Sequence, residues 1–370
     1  MRYYLIAGEA SGDLHGAALM RGLAKCDPQA QFRFRGGNAM KAAGGTIFRH
    51  YGENAVMGGA EVAAKAGRLL ADLRATEKDA ADWQPDVLIL IDQPAYNLKV
   101  ARYAHRRGIK VFYYIAPKLW ARGERRIRKI RKYVDELFVI FPFEVDYFAR
   151  LGVTARYFGN PLTGFASPAE DGDDGGSPLV ALLPGSRRAE LKWMMPRIAA
   201  LEKLMRSDPE GRWEGYRLVI AGAPDIKPEE YATFLPEDSR IEIRYGKTCD
   251  LLREARSAVV CSGTATLEAA LADVPQVVCY GFSRITYLLA KMLVKVDLVS
   301  LPNIILGREA VRELIQDDST PENIYAELLR LTFDADYRAA ITASCDEIRS
   351  MLGAPGAEER AAEEMVRLLT

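Results

Sequence analysis

The sequence predicts an α/β chain: two doubly wound parallel-sheet domains facing each other across a cleft. Three observations carry that expectation. Apolar runs of strand length recur along the chain, and between them lie stretches with apolar residues at i, i+3 and i+4, the period of a helix. Strand and helix in alternation make a parallel sheet with crossover helices. The runs also fall into two sets, and residues 167–178 between them, SPAEDGDDGGSP, hold no apolar residue except Ala169. With 370 residues, at roughly 100–200 per domain, two domains with their own cores are expected.

The first set of strands is expected at 3–7, 87–91, 110–114 and 136–140. The second is expected at 179–183, 217–221, 258–261 and 276–280. Helical spacing is clear in 98–107 and 189–205. The Gly, Asp and Pro content of 167–178 reads as an exposed linker. The expected division is a first domain over 1–166, the linker, a second domain over 179–345, and a tail over 346–370. In that tail 357–369 reads as a charged helix, with Met365, Val366 and Leu369 on the side that packs on the first domain or on a partner chain. In such sheets ligands gather at the carboxyl ends of the strands.

Composition removes several classes. The 50 basic and 50 acidic residues cancel, so no global charge points to nucleic acid. The five cysteines are odd in number and none forms C-x-x-C, which reads as reduced thiols in a cytoplasmic protein, with no zinc site or disulfide framework. The first apolar run is too short for a signal peptide. No uncharged stretch reaches about 18 residues, so membrane contact, where it occurs, is expected to be peripheral.

Near the N-terminus, MRYYLIAGEASGDLHG spaces Gly8, Gly12 and Gly16 four apart, which fits neither the dinucleotide fingerprint nor the Walker loop. Its polar residues are Glu9, Ser11, Asp13 and His15. VLILIDQPAYN puts Asp92 at the end of a buried strand, with Pro94 forcing a turn. There an Asp is either a cap or a catalytic carboxylate, and Asn97 is placed to cap the next helix. After AP-K-L-W, with Trp120, seven of the eleven residues from Arg122 to Lys132 are basic, Arg125 and Arg126 among them. Ile127, Ile130, Val134 and Leu137 keep helical spacing. The expected amphipathic helix suits an anionic membrane surface or a phosphorylated substrate, a solvated face or RNA contact being the alternative. No aromatic residues interleave on the basic face, which disfavours nucleic acid.

In the second half, VALLPGSR is a strand running into Gly185, with Ser186 to cap a helix and Arg187 to reach an anion. VVCSGTATLE ends a strand at Ser262, Gly263, Thr264 and Ala265, where free N–H groups and the helix dipole suit a diphosphate. Glu268 is placed for ribose hydroxyls. Each stretch also reads as a plain capped helix; together they favour a nucleotide diphosphate. The stretch 281–302 is apolar along one face but too charged to span a bilayer, so it is core or membrane-lying. Beyond it, Asn303 stands directly after Pro302, and Glu309, Glu313 and Gln316 recur at helical spacing, as a solvated stripe or a cleft lining.

AGEASGD, ID-x-P-x-x-N, AP-x-x-W, LPGSR, SGTATLE and SLPN-x-x-x-GRE, in that order, resemble the lipid-A-disaccharide synthase family from Ala7 to about Gln316. The resemblance implies the two-domain GT-B glycosyltransferase fold and an inverting, metal-independent transfer without a cofactor. It implies UDP-2,3-diacylglucosamine as donor and 2,3-diacylglucosamine 1-phosphate (lipid X) as acceptor. It also implies peripheral work at the inner face of the inner membrane, and a homodimer. By motif, Asp92 takes the role of candidate base, and Arg187 with Gly185 and Ser186 that of the UDP phosphate site. Glu268 and Asn303 match the family's Glu and Asn, and Glu9 its first acid, with Gly8, Ser11, Gly12 and Asp13 beside it as a polar wall. Trp120, Arg122, Arg125 and Arg126 fall on the acceptor or membrane side. Two positions depart from the family: Ala95-Tyr96 stand where relatives carry a second acid, and Arg122 stands for a second Trp. The rival readings are another GT-B enzyme such as a UDP-GlcNAc 2-epimerase, a non-catalytic anionic-lipid-binding protein, and a nicotinamide oxidoreductase, the last disfavoured because no G-x-G-x-x-G comes after a strand.

Overall fold

A computed structural model describes residues 1–54, 62–121, 123–164, 178–246, 248–261, 263–281 and 298–370. Among the described residues the first sheet is built from β1 (Arg2–Ile6), β2 (Gln31–Gly36), β3 (Thr46–His50), β4 (Val87–Ile91), β5 (Lys110–Tyr114), β6 (Glu136–Val139) and β7 (Ala155–Tyr157). Its order is β3-β2-β1-β4-β5-β6-β7, and neighbouring strands run parallel. Between the strands run α1 (Ala10–Cys26), α2 (Asn38–Ala43), α3 (Val62–Trp83), α4 (Pro94–Arg106), α5 (Ile127–Tyr133) and α6 (Phe143–Arg150).

Strands alternate their side chains between two faces, and both faces of this sheet are covered. Tyr4, Ile6, Leu88, Leu90, Val111, Tyr113, Leu137 and Val139 fill one layer with residues of α4 and α5. Tyr3, Leu5, Val87, Ile89, Ile91, Phe112, Tyr114 and Phe138 fill the other with α1. Burial on both sides is why these strands read as unbroken apolar runs. β2, β3 and β7 carry no such run: β2 is QFRFRG, with Arg33 and Arg35 alternating with Phe32 and Phe34.

The second sheet is built from β8 (Leu179–Leu183), β9 (Arg217–Gly222), β10 (Glu242–Tyr245), β11 (Ala255–Cys261), β12 (Gln276–Tyr280) and β13 (Glu313–Ile315), in the order β10-β9-β8-β11-β12-β13 and again parallel. With it go α7 (Arg188–Arg206), α8 (Pro228–Ala232), α9 (Thr248–Glu254), α10 (Thr264–Leu271), α11 (Leu301–Leu306), α12 (Pro321–Phe333) and α13 (Ala335–Leu352); α14 (Ala357–Leu369) closes the chain.

The chain divides into two compact units. One is Met1–Pro161 with Pro355–Thr370, the other Leu162–Ala354. The second unit therefore ends nine residues beyond the expected 345, because α13 runs unbroken through that point. Its Ile341, Cys345, Ile348 and Leu352 are buried on one helical stripe and it packs on α10, α11 and α12. Past Gly353, with φ of +78°, α14 packs on α1 of the first unit. Ala361, Ala362 and Met365 join that unit's core, and a methyl at Gly22 would stand 3.0 Å from Ala362 Cβ. His15 Nδ1 lies 3.7 Å from Glu358 Oε1 at the same seam.

Two expected helices are corrected. The basic helix is only Ile127–Tyr133: Val134 is already extended and Leu137 belongs to β6, where burial in the sheet overrides the helical spacing. The stripe Glu309, Glu313, Gln316 is no helix face either, because Glu313–Ile315 is β13, paired with β12. Most of 281–302 and of the linker 167–178 lies outside the described residues. Among the described residues no helix is long and apolar enough to cross a membrane.

Candidate active site

In a doubly wound sheet the strand order reverses at one point, and the turns leaving the two strands there diverge to open a crevice at their carboxyl ends. In the first sheet that point lies between β1 and β4, in the second between β8 and β11. The turn after β1 carries Gly8 and Glu9, and the turn after β4 carries Asp92. The turn after β8 carries Gly185, Ser186 and Arg187, and the turn after β11 runs into Gly263 and Thr264. Motifs about 84 and 78 residues apart thus meet in pairs, each at its own switch point.

Gly8 packs against the Gln93 side chain: a Cβ there would fall 1.8 Å from the Gln93 Oε1 atom, so the amide of the β4 turn reaches over the β1 turn and would have to swing aside for any larger residue. Glu9 precedes α1 in extended conformation and is exposed; Ser11 donates to its Oε1 at 3.1 Å. Gly12 sits on the strands, with a hypothetical Cβ 3.4 Å from Ala7 Cβ.

Asp92 and Gln93 both adopt the left-handed conformation, at φ of +46° and +47°. Such residues cost about 1–3 kcal/mol each and persist only where the surroundings impose them. Here the surroundings do. Asp92 N–H donates to Tyr114 O of β5 at 3.2 Å. Its carbonyl accepts from Tyr113 Oη at 2.5 Å and Asn97 Nδ2 at 2.7 Å. Asn97 also reaches the Ile91 carbonyl; it clamps the turn from inside α4 and does not cap it. The backbone is thereby locked while the carboxyl stays partly open at the strand end. Burial raises the proton affinity of that carboxyl above the usual carboxylate range; the Lys118 ammonium and the Gln93 N–H oppose this, and Glu9 adds to it.

The turn after β5 holds the aromatic motif. Trp120 Nε1 donates to Glu144 Oε1 at 2.9 Å, and Glu144 Oε2 accepts from Ile140 N and Phe141 N. The Trp120 ring packs edge-on to Phe141 and Phe143. Glu144 is fully buried, and burial pushes its carboxyl up to about 7. Arg125, Arg128, Lys129, Arg131 and Lys132 are exposed, and Arg126 is half-buried. Arg122 lies outside the described residues.

In the second unit Gly185 has φ of +100°, and a Cβ there would stand 2.4 Å from Glu190 Oε2. That carboxylate accepts from Ser186 N at 2.9 Å and Arg187 N at 3.1 Å. The residue before α7 is therefore Arg187, not Ser186, and Glu190 satisfies the helix start. The Arg187 guanidinium is 80 % exposed and pairs with Glu190 Oε1 at 3.0 Å. On the neighbouring strand, α10 opens at Gly263 with Thr264 exposed and Ala265 half-buried. N–H groups at such a start have no partner within the helix and favour negative charge. Glu268 is the fifth residue of α10 and half-buried. Ser262 lies outside the described residues. Tyr280, at the end of β12, faces the charges of Glu190 and Arg187.

Two expected binding residues are buried and make hydrogen bonds within the scaffold. Asp13 is buried, and its oxygens accept from Gly37 N at 2.6 Å, Ala39 N at 2.8 Å and Met40 N at 3.2 Å, closing the start of α2. Asn303 is fully buried: it donates to Val311 O and Glu313 Oε1 and accepts from Ala310 N and Val311 N, tying α11 to the approach of β13. Sequence reasoning passed over Gln93, Lys118, Glu144, Glu190 and Tyr280. Only Glu190 had a sequence signal, three residues past a helix start; the others are defined by contacts across strands. Among the described residues no cluster of three His, Cys, Asp or Glu is placed to hold a metal.

The sequence model of the family described as lipid-A-disaccharide synthetase matches residues 3–366. A lipid-A-disaccharide synthase of Geobacter metallireducens is 36 % identical over 377 residues, covering 100 % of this chain and 97 % of its own. That of Myxococcus xanthus is 36 % identical over 378 residues, with the same coverage. Among solved structures, a UDP-GlcNAc 2-epimerase from Neisseria meningitidis bound to UDP-GlcNAc superimposes with a TM-score of 0.69 at 11 % identity, over 99 % of this chain and 100 % of that one. The calicheamicin glycosyltransferase CalG4 does so with 0.62 at 17 %, over 100 % and 98 %. At those identities the likeness is one of fold, and the fold is of the GT-B type, two Rossmann-like parallel-sheet domains.

Proposed function

The chain belongs to the lipid-A-disaccharide synthetase family, and from that premise we propose that it moves 2,3-diacylglucosamine from UDP-2,3-diacylglucosamine to the 6-hydroxyl of 2,3-diacylglucosamine 1-phosphate, with Asp92 as base. The observation that supports this activity best is the full-length family match. The roles of particular residues are part of the same proposal. Transfer with inversion forms the bond from the acceptor oxygen to the sugar C1 as the bond from C1 to the UDP oxygen breaks. The acceptor proton passes to Asp92, whose raised proton affinity and fixed backbone suit a base at neutral pH.

Charge grows on the departing diphosphate. Arg187 and the N–H groups of Gly263, Thr264 and Ala265 are the donors proposed to meet it, with Gly185 keeping the turn tight and Glu268 on the ribose. Glu9 and Ser11 line the acceptor side next to Asp92. The exposed cations Arg125, Arg128 and Lys129, together with Trp120, are proposed to meet the acceptor phosphate or an anionic membrane surface, at the inner face of the inner membrane. A homodimer, implied by the family resemblance, completes the proposal.

Incubation with both acylated substrates and mass spectrometry of the products should yield the disaccharide 1-phosphate and UDP in equal amounts. No disaccharide, but conversion of UDP-GlcNAc without an acceptor, overturns the reading in favour of an epimerase. Vesicle binding without UDP release overturns it in favour of a lipid-binding protein.

A further inference from the structure

One carboxylate holds the turn after β8 and also holds the cation of that turn. Glu190, in the first turn of α7, is only 21 % exposed. Its Oε2 accepts from Ser186 N at 2.9 Å and Arg187 N at 3.1 Å, and its Oε1 accepts from Arg187 Nη1 at 3.0 Å. Gly185, just before them, has φ of +100°, and a Cβ there would stand 2.4 Å from the same Oε2. A single side chain thus packs on Gly185 and bonds both residues after it.

The two arginines at the start of α7 are engaged differently. Arg188 lays Nε and Nη2 on the two oxygens of Glu230 in α8, at 2.7 and 3.0 Å, the two-pronged bond that suits a guanidinium best. Arg188 is thereby tied to α8. Arg187 offers Glu190 only Nη1, and its side chain is 80 % exposed. A guanidinium carries five N–H donors, so one held at a corner still presents the others to an anion. An exposed arginine that nothing holds spreads over many rotamers, and a ligand that recruits it must first order it. The charge of Glu190 is itself met by two N–H groups and the positive end of the α7 dipole, so it does not cancel the cation beside it.

We propose that Glu190 is a positioning residue for the donor: it holds the Arg187 guanidinium by one N–H and leaves the remaining N–H groups to the diphosphate of the UDP-sugar. The inference deepens the reading of Arg187 at the UDP phosphates and rests on it. Glu190 then has a task beyond satisfying the start of α7, since the same carboxylate fixes the backbone of the turn and the cation that the turn carries. An exposed ion pair three residues apart adds little to stability; its effect is on the ordering of Arg187 before the donor arrives.

The test is a double-mutant cycle in UDP affinity over wild type, Glu190→Gln, Arg187→Ala and the two combined, read by calorimetric titration of the full chain, folding being checked by circular dichroism. Glu190→Gln keeps an oxygen for the N–H groups of Ser186 and Arg187 and turns an amide N–H₂ towards the guanidinium. UDP affinity should fall by about 2- to 10-fold, the cost of ordering one long side chain. In the Arg187→Ala background the same change should alter it by less than about twofold, because the group through which Glu190 acts is gone. Should Glu190→Gln not fold, Glu190→Asp, one methylene shorter, carries the same cycle. Unchanged UDP affinity in folded Glu190→Gln overturns the proposal. So does an equal loss in both backgrounds, which would make Glu190 a structural cap, and so does tighter binding, which would make its carboxylate a competitor of the diphosphate. Arg187→Ala that binds UDP as the wild type does overturns the reading of Arg187 itself, independently of Glu190.

Discussion

Asp92 and Gly8 show how single residues set this site. Asp92 sits in a strained left-handed turn whose N–H and carbonyl are both tied to neighbours, so the side chain is the part left for chemistry. Replacing it by Asn keeps shape and removes the base. Turnover should fall by about 10²–10⁴-fold while UDP-sugar affinity stays within a factor of about two, as read by steady-state kinetics beside calorimetric titration. Near-normal turnover would count against the role. Gly8 is a different case, since its contact is with Gln93. Gly8→Ala pushes the Gln93 side-chain amide aside, an overpacking at the lower end of about 1–3 kcal/mol. Adding Gln93→Gly removes both the obstructing side chain and a left-handed non-glycine residue, so the double variant should recover most of the loss in urea unfolding. No recovery would show that the contact is not what makes Gly8 necessary.

At the scale of an element, the turn joining β6 to α6 is built on one buried carboxylate. Glu144 takes N–H bonds from Ile140, Phe141 and Trp120, yet burial lifts its midpoint from 4.5 to about 7. The folded state therefore holds more protons than the unfolded chain between those values. Stability is highest below about 4.5 and falls as pH rises towards 7. Glu144→Gln loses this slope; it also turns an amide N–H₂ towards a donor and so is less stable overall. Urea unfolding at pH 5 and pH 8 should give a smaller difference between the two pH values in the variant than in the wild type. An equal difference would mean that Glu144 does not titrate in that window. The neighbouring α5 ends after seven residues. Val134 and Leu137 fit a helix by spacing, but β6 gains more by burying Leu137 in the sheet.

For the whole molecule, the decisive fact is that the chain forms two units with separate cores and sends its last helix back to the first. Units of this kind are expected to unfold in separate steps. UDP, proposed to bind Arg187 and the start of α10, should raise the transition of the second unit alone. At a hundred times its Kd the gain is about 2.7 kcal/mol. Scanning calorimetry checks this, and a shift of the first unit's transition instead would move the nucleotide site. Met365→Ala in α14, by contrast, opens a cavity under α1 at a cost of about 2–5 kcal/mol. It should lower the other transition and leave the UDP-sensitive one in place.

Strands buried on both faces announce themselves in sequence, because each residue meets an apolar layer whichever way it points. Hence β4, β5, β8 and β12 could be placed to the residue, and with them the ends that carry Asp92 and Arg187. The ordered motifs likewise determined the family. β2 and β10 were hidden because their faces are half polar, and β13 because its three residues sit where a helical stripe also fits. Only the tertiary structure decided what Asp13 and Asn303 do, since whether a polar side chain meets a ligand or a backbone N–H depends on segments about 8 to 27 residues away folding over it. The same holds for the pairing of Gly8 with Gln93. Sequence records which groups a chain owns; the sheet order settles which of them share an edge, and contact between distant turns settles which are left free to react.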